Sequence, residues 1–281
     1  MIDFLYSLFE YEFLQNALLA GILASISCGL TGPFVVVNRI SYLAGGIAHA
    51  VLGGMGAAIY FQIDPIIGAL VSALLSALLI SYIKLKFEQQ EDTVIGALWS
   101  VGMATGIIFI SQTPGYNSEL LSYLFGNILM VSEAQLQMMF ILDVLLVLII
   151  TLFYKYFVAI SFDREFAKTL GIPVNFFYTL LLCLVALTVV ILIQVVGLIL
   201  VIALLTLPAA IASHYSFSII RIMMFAIIGG FIFTSSGLMV SYQADFPAGS
   251  VIIVIAGTTF LISTFMKGFI LSWVRKIKNS G

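Results

Sequence analysis

The sequence predicts an all-α protein, a polytopic integral membrane bundle of about nine transmembrane helices, and three observations predict it. Hydrophobic residues make up 62% of the 281 residues and charged residues 9%, with a mean hydropathy of +1.21, which lies outside the range of soluble domains. Uncharged runs long enough to cross ~30 Å of hydrocarbon recur along the whole chain. When these runs are taken as successive spans, all 11 Lys and Arg fall on one side of the membrane.

The spans follow from the punctuation between them. Residues 13–37 form the first; 42–62 form the second, closed by Asp64-Pro65, where proline opens the third over 66–83. The charged loop KLKFEQQED leads to a fourth span at 94–111, with Asp92 placed to cap it, and the fourth ends in the turn signal QTPGYN. The segment LLSYLFGNIL that follows is too short to cross and reads as an interfacial or re-entrant helix. A fifth span covers 136–156. The forty uncharged residues 174–213 are too many for one crossing and divide near Gln194 to Gly197 into a sixth and a seventh. Residues 222–242 and 249–266 supply the last two, separated by Asp245 and Pro247. A half-inserted segment would change the count to eight or ten.

An N-terminus outside and a C-terminus inside place Arg39, Lys84, Lys86, Lys155, Arg164, Lys168, Arg221, Lys267, Arg275, Lys276 and Lys278 on the cytoplasmic side. Asp64, Glu119, Glu133 and Asp245 then face outward, as short acidic loops commonly do. The first dozen residues hold Asp3, Glu10 and Glu12 and no basic residue, so they lack the positive region of a secretory signal. Cys28 and Cys183 lie in separate apolar runs and read as small buried apolar residues, not as a disulfide.

The second span, RISYLAGGIAHAVLGGMGAAIYFQ, carries an ionisable side chain deep in apolar, glycine-rich sequence: His49. At four-residue spacing Gly46, Ala50, Gly54 and Ala58 form one small-residue row, and Gly45, His49, Gly53 and Ala57 the next. Gly45, Gly46, Gly53 and Gly54 are therefore expected to let neighbouring helix backbones approach closely. A histidine there binds a transition metal, relays a proton or hydrogen-bonds a neighbouring helix. Asp143, inside the fifth span, is the second candidate on an ion path, against the plainer reading of a carboxylate paired with a polar group on the next helix. Gln194 reads as a turn residue, and His214 lies near the cytoplasmic edge.

The loop SFDREFAKTLGIP is the most charged short stretch. Ser161 and Asp163 are placed to cap a short helix over about 161–172, Phe166, Ala167 and Leu170 give it an apolar face, and Gly171 with Pro173 ends it. Such a helix between two spans is either a knob for a soluble partner or an ordinary interfacial helix. No phosphate-binding loop, no His-Glu-x-x-His and no zinc-finger cysteine spacing occurs, so no enzymatic activity is expected of the chain.

Several stretches in order, GLTGPFVVVNRISYLAGGIAHAVLGG, EDTVIGALWSVGMATGI, LSYLFGNILMVS, SFDREFAKTLGIPV, VVGLILVIALLTLPAAIA and SYQADFPAGSVIIVIAG, resemble the membrane permease subunit of ABC importers for zinc, manganese or iron. The resemblance implies one permease domain over residues 1–281, a homodimer in the cytoplasmic (inner) membrane of a prokaryote, two cytoplasmic ATPase subunits and an extracytoplasmic metal-binding protein. It implies a divalent metal ion as substrate, no permanently bound cofactor, lipid as the surrounding partner and no nucleic acid. Ser161, Phe162, Asp163, Arg164, Glu165, Phe166, Ala167 and Gly171 then belong to the coupling helix that meets the ATPase. Members of that family often carry an aspartate four residues before the histidine, where this chain has Gly45; the loss of a hard oxygen ligand tilts the expected substrate towards zinc. The alternatives are a permease for a metal chelate such as a siderophore or cobalamin, an intramembrane metal-dependent enzyme using His49 and Asp143, and a proton-driven carrier.

Overall fold

The computed structural model describes residues 2–86, 91–113 and 126–279, and among these residues the chain is helical, with no strand. Helix α1 (Ile2–Glu10) precedes α2 (Glu12–Val37), α3 (Ser41–Tyr60), α4 (Pro65–Lys86) and α5 (Glu91–Ser111). After a short 3-10 turn at Ile128–Met130 come α6 (Glu133–Phe162), the short α7 (Arg164–Thr169), α8 (Val174–Val196), α9 (Leu198–Tyr215), α10 (Ile219–Ala244) and α11 (Ala248–Asn279). Nine of these helices among the described residues are long and apolar enough to cross a membrane: α2, α3, α4, α5, α6, α8, α9, α10 and α11.

The boundaries have local causes. Asp64 accepts the amide of Ile66 at 2.8 Å at the start of α4, and Ser132 and Gln135 form a reciprocal capping box at the start of α6. Left-handed residues make the tight connections: Arg39 between α2 and α3, Gln62 before α4, Asp245 after α10. The division of the long apolar run falls at Gly197, whose φ of +78° ends α8 and starts α9. Helix α5 begins at Glu91, so Asp92 stands in its first turn instead of preceding it. Most of the segment expected to be re-entrant lies outside the described residues. Its described end, Gly126 to Met130, docks against the α8–α9 break: a Cβ at Gly126 would lie 2.2 Å from the Gly197 amide nitrogen.

Helix α3 is largely buried, with α4 on one side and α5 on the other, and α8 fills the middle of the bundle; α5 and α11 are largely exposed. One end of the bundle is tied by side chains. Asn38, after α2, donates to Ser161 near the end of α6 at 2.8 Å, while Lys84 of α4 and Arg164 of α7 both lie over the ring of the fully buried Tyr178 in α8. That end gathers Arg39, Lys84, Arg164 and Lys168.

Candidate functional site

The small-residue rows of α3 bring three backbones together at His49. A Cβ at Gly54 would meet the Gly68 carbonyl oxygen of α4 at 2.2 Å and Ser72 Oγ at 2.3 Å. On the other side a Cβ at Gly53 would meet the Gly102 oxygen of α5 at 2.8 Å, and one at Gly46 would meet the Ile95 side chain at 2.5 Å. These contacts leave room only for glycine, and they fix the register of α3 against both neighbours. Gly45 differs. Its Cβ would stand 3.8 Å from Trp99 Cζ3 and 4.0 Å from Ile202 Cδ1, an ordinary contact distance.

His49 is partly buried, and its ring stacks on Trp99 of α5 with centroids 4.0 Å apart and planes 13° from parallel. Its Nδ1 is buried and has no hydrogen-bond partner. A buried donor or acceptor left this way costs about 1–3 kcal/mol, a debt that a ligand or a bound ion would remove. Tyr42, one turn further along the same face beyond Gly45, lies 6.0 Å from the Trp99 ring. Reading the sequence did not single out Trp99. The signal was there: Trp99, Gly102 and Gly106 share one face of α5, and the two glycines are the ones pressed against α3.

Asp143 is elsewhere. Helix α6 packs on α2 and α8, and α3 on α4 and α5, so the structure does not bring Asp143 together with His49. The carboxylate is 4% exposed; its Oδ1 accepts a hydrogen bond from Ser27 Oγ of α2, and its Oδ2 has no partner. It lines an apolar groove of about 740 Å³ between α2 and α6 with Leu23, Ile26, Phe140 and Val144. His214 Nδ1 lies 3.1 Å from Ser263 Oγ, linking the end of α9 to the middle of α11. The side chain of Gln194 lies outside the described residues. Among the described residues no three His, Cys, Asp or Glu side chains converge as a ready-made metal site.

The short helix in the charged loop is Arg164–Thr169. Asp163 Oδ1 caps it by accepting the Phe166 amide at 2.9 Å, and Gly171 ends it with φ +76°. Ser161 and Phe162 belong to the last turn of α6; Ser161 donates to the Phe157 carbonyl at 2.7 Å and does not cap α7. Ala167 is buried against the bundle, while Phe162, Phe166 and Leu170 are each about 60% exposed or more, and Glu165 pairs with Lys168 at 2.7 Å. Arg164 holds the helix to the bundle, its Cζ 4.4 Å above the Tyr178 ring.

Comparison with known proteins gives a consistent answer. Residues 10–267 match the family model described as the ABC 3 transport family. The chain is 39% identical to a probable metal transport system membrane protein of Chlamydia trachomatis, with 95% of this chain and 93% of that protein covered. It is 34% identical to the manganese import system permease protein ScaB of Streptococcus gordonii, with 94% and 95% covered. Among solved structures, PsaBC from Streptococcus pneumoniae in complex with Fab superposes with a TM-score of 0.84 at 37% identity, over 94% of this chain and 95% of that one. With nine membrane-length helices and a match over nearly its whole length, the chain belongs to the ABC 3 transport family, as the multi-pass, non-enzymatic permease subunit of an ABC transporter.

Proposed function

We propose that this permease imports a divalent transition metal, with zinc as its substrate, and that His49 is the side chain the ion meets inside the membrane. The observation that carries the reading is His49 itself: an imidazole in the middle of α3 with a buried Nδ1 that no protein group satisfies. The names of the relatives, metal transport and manganese import, support the substrate class. The choice of zinc rests on the ligand chemistry. Position 45, one helical turn before His49 on the same face, offers no carboxylate, and imidazole without hard oxygen ligands favours zinc over manganese. Asp143, bonded to Ser27 and remote from α3, serves in this reading as a buried polar tie between α6 and α2.

The permease works as a homodimer, N-terminus outside, with two ATPase subunits on the cytoplasmic face and a metal-binding protein on the outer face. The positive-inside rule supports this orientation, because the end that gathers Arg39, Lys84, Arg164 and Lys168 is then cytoplasmic. The exposed Phe162, Phe166 and Leu170 around α7 supply an apolar knob for the ATPase. Closure of the ATPase pair on ATP moves α7. Arg164 and Tyr178 pass that movement to α8, and the bundle opens alternately to either side. Binding at His49 is brief, since an ion held tightly would not leave.

The test is uptake of labelled zinc and manganese into proteoliposomes that contain the permease, its ATPase and its binding protein. ATP-dependent zinc uptake that His49→Ala abolishes, with the complex still assembled, is the expected result. Preferred uptake of manganese overturns the choice of metal, and undiminished uptake by the variant overturns the role of His49.

A further inference from the structure

We propose that Trp99 is the positioning residue of the metal step: its indole, seated in the notch left by Gly45, walls one face of His49 and holds the imidazole edge-on to the arriving ion. The proposal rests on the reading of His49 given above. The notch is built into the sequence of α3. Tyr42, Gly45 and His49 succeed one another along one helix face, and the missing side chain at position 45 leaves a gap between two rings. Trp99 enters it, with Cζ3 3.8 Å from where a Cβ at position 45 would stand, its plane on His49 and the Tyr42 ring 6.0 Å away.

The register of α5 imposes this arrangement. Cβ atoms at Gly102 and Gly106 would come within 2.6 Å of the α3 backbone, at Ala50 Cα and the Leu52 oxygen. That backbone contact, one turn beyond Trp99, holds α5 close to α3 where the indole lies flat on the imidazole. A neutral imidazole binds a metal through the in-plane lone pair of its one unprotonated nitrogen, so a wall against its face leaves that nitrogen free to bind. Indole has one N–H donor and no acceptor, so it does not compete for the ion. If the wall is removed, the glycine at position 45 leaves an open space into which the imidazole swings. Restoring order to such a side chain on each binding event weakens the encounter roughly two- to tenfold.

Trp99 also supplies its own assay. The chain has two tryptophans, and Trp273→Phe leaves Trp99 as the single tryptophan of the permease subunit. In that background zinc is titrated into the permease complex while Trp99 emission is followed, with and without His49→Ala. In parallel, zinc uptake per ATP hydrolysed is measured for Trp99→Leu and Trp99→Phe. The expected result is a saturable change of emission that His49→Ala removes, a fall in uptake per ATP of roughly two- to tenfold for Trp99→Leu, and recovery with Trp99→Phe, which keeps a stacking ring. Emission blind to zinc in a complex that transports it, or equally responsive without His49, overturns the proposal without any change at position 99. Normal uptake by Trp99→Leu beside an inactive His49→Ala overturns the positioning role alone, whereas normal uptake by His49→Ala removes the reading beneath it.

Discussion

Replacing Gly54 by alanine adds one methyl group to α3, and the same change at Gly45, nine residues earlier, adds an identical one. The structure assigns them opposite effects. At Gly54 the new carbon would stand 2.2 Å from the Gly68 carbonyl oxygen and 2.3 Å from Ser72 Oγ, so α3 and α4 must separate by roughly 1 Å to reach an ordinary contact. Overpacking of this kind costs about 1–3 kcal/mol, and a backbone obstacle puts it at the upper end. The gain from replacing a mid-helix glycine by alanine, at most about 1 kcal/mol, offsets part of it and leaves a net loss near 2 kcal/mol. At Gly45 the methyl meets Trp99 at 3.8 Å, no overpacking arises, and the propensity gain stands alone. The two variants therefore differ by about 3 kcal/mol, or roughly 6–12 °C in apparent melting temperature for a chain of this size. The assay is thermal unfolding of the detergent-solubilised permease at fixed protein and detergent concentration. Two variants that melt within about 2 °C of each other would refute the claim that α3 and α4 touch backbone to backbone.

Other perturbations separate structural from functional residues. Asp143→Asn keeps an oxygen to accept the Ser27 hydrogen bond, so zinc uptake stays close to wild type; its loss in the proteoliposome assay would return Asp143 to the ion path. Gly197→Ala forces a Cβ into a conformation, φ +78° with ψ 161°, that is essentially restricted to glycine and should lower stability by about 1–3 kcal/mol, measured as melting temperature beside the wild type. Phe166→Glu places a charge on the exposed apolar face of α7 and should strip the ATPase from the purified complex while leaving the permease monodisperse, as read by size-exclusion chromatography. Tyr178→Leu removes the ring beneath Arg164. ATP should still be hydrolysed, but with less zinc moved per ATP, and unchanged stoichiometry would dismiss the Arg164–Tyr178 contact as a transmission point.

The helices were legible because each membrane span is encoded locally. A run such as residues 174–213 states its length in its own composition, and Gly197 states where it breaks, because only glycine takes that backbone conformation cheaply. The cap of α7 was half legible: both Ser161 and Asp163 are competent capping residues, and the continuation of α6 to Phe162 decided for Asp163. The start of α5, expected at Thr93 with Asp92 as its cap, falls at Glu91 for a similar reason, since nothing local distinguishes a cap from a first turn when Glu91, Asp92 and Thr93 all suit either place.

The sequence by itself determined the class of the protein, the positions of its spans and the singular character of His49, all properties of single residues or of contiguous runs. Only the tertiary structure decided what His49 faces. Nothing in α3 specifies that Gly46 and Gly53 turn to α5 while Gly54 turns to α4, or that Trp99 stands beside Gly45 and stacks on His49. It also decided that Asp143 belongs to Ser27 and not to His49. The physical reason is that hydropathy, uniform around helices such as these, leaves the rotation and register of each one undetermined, and these are fixed by the sub-contact fit of glycine backbones on different spans.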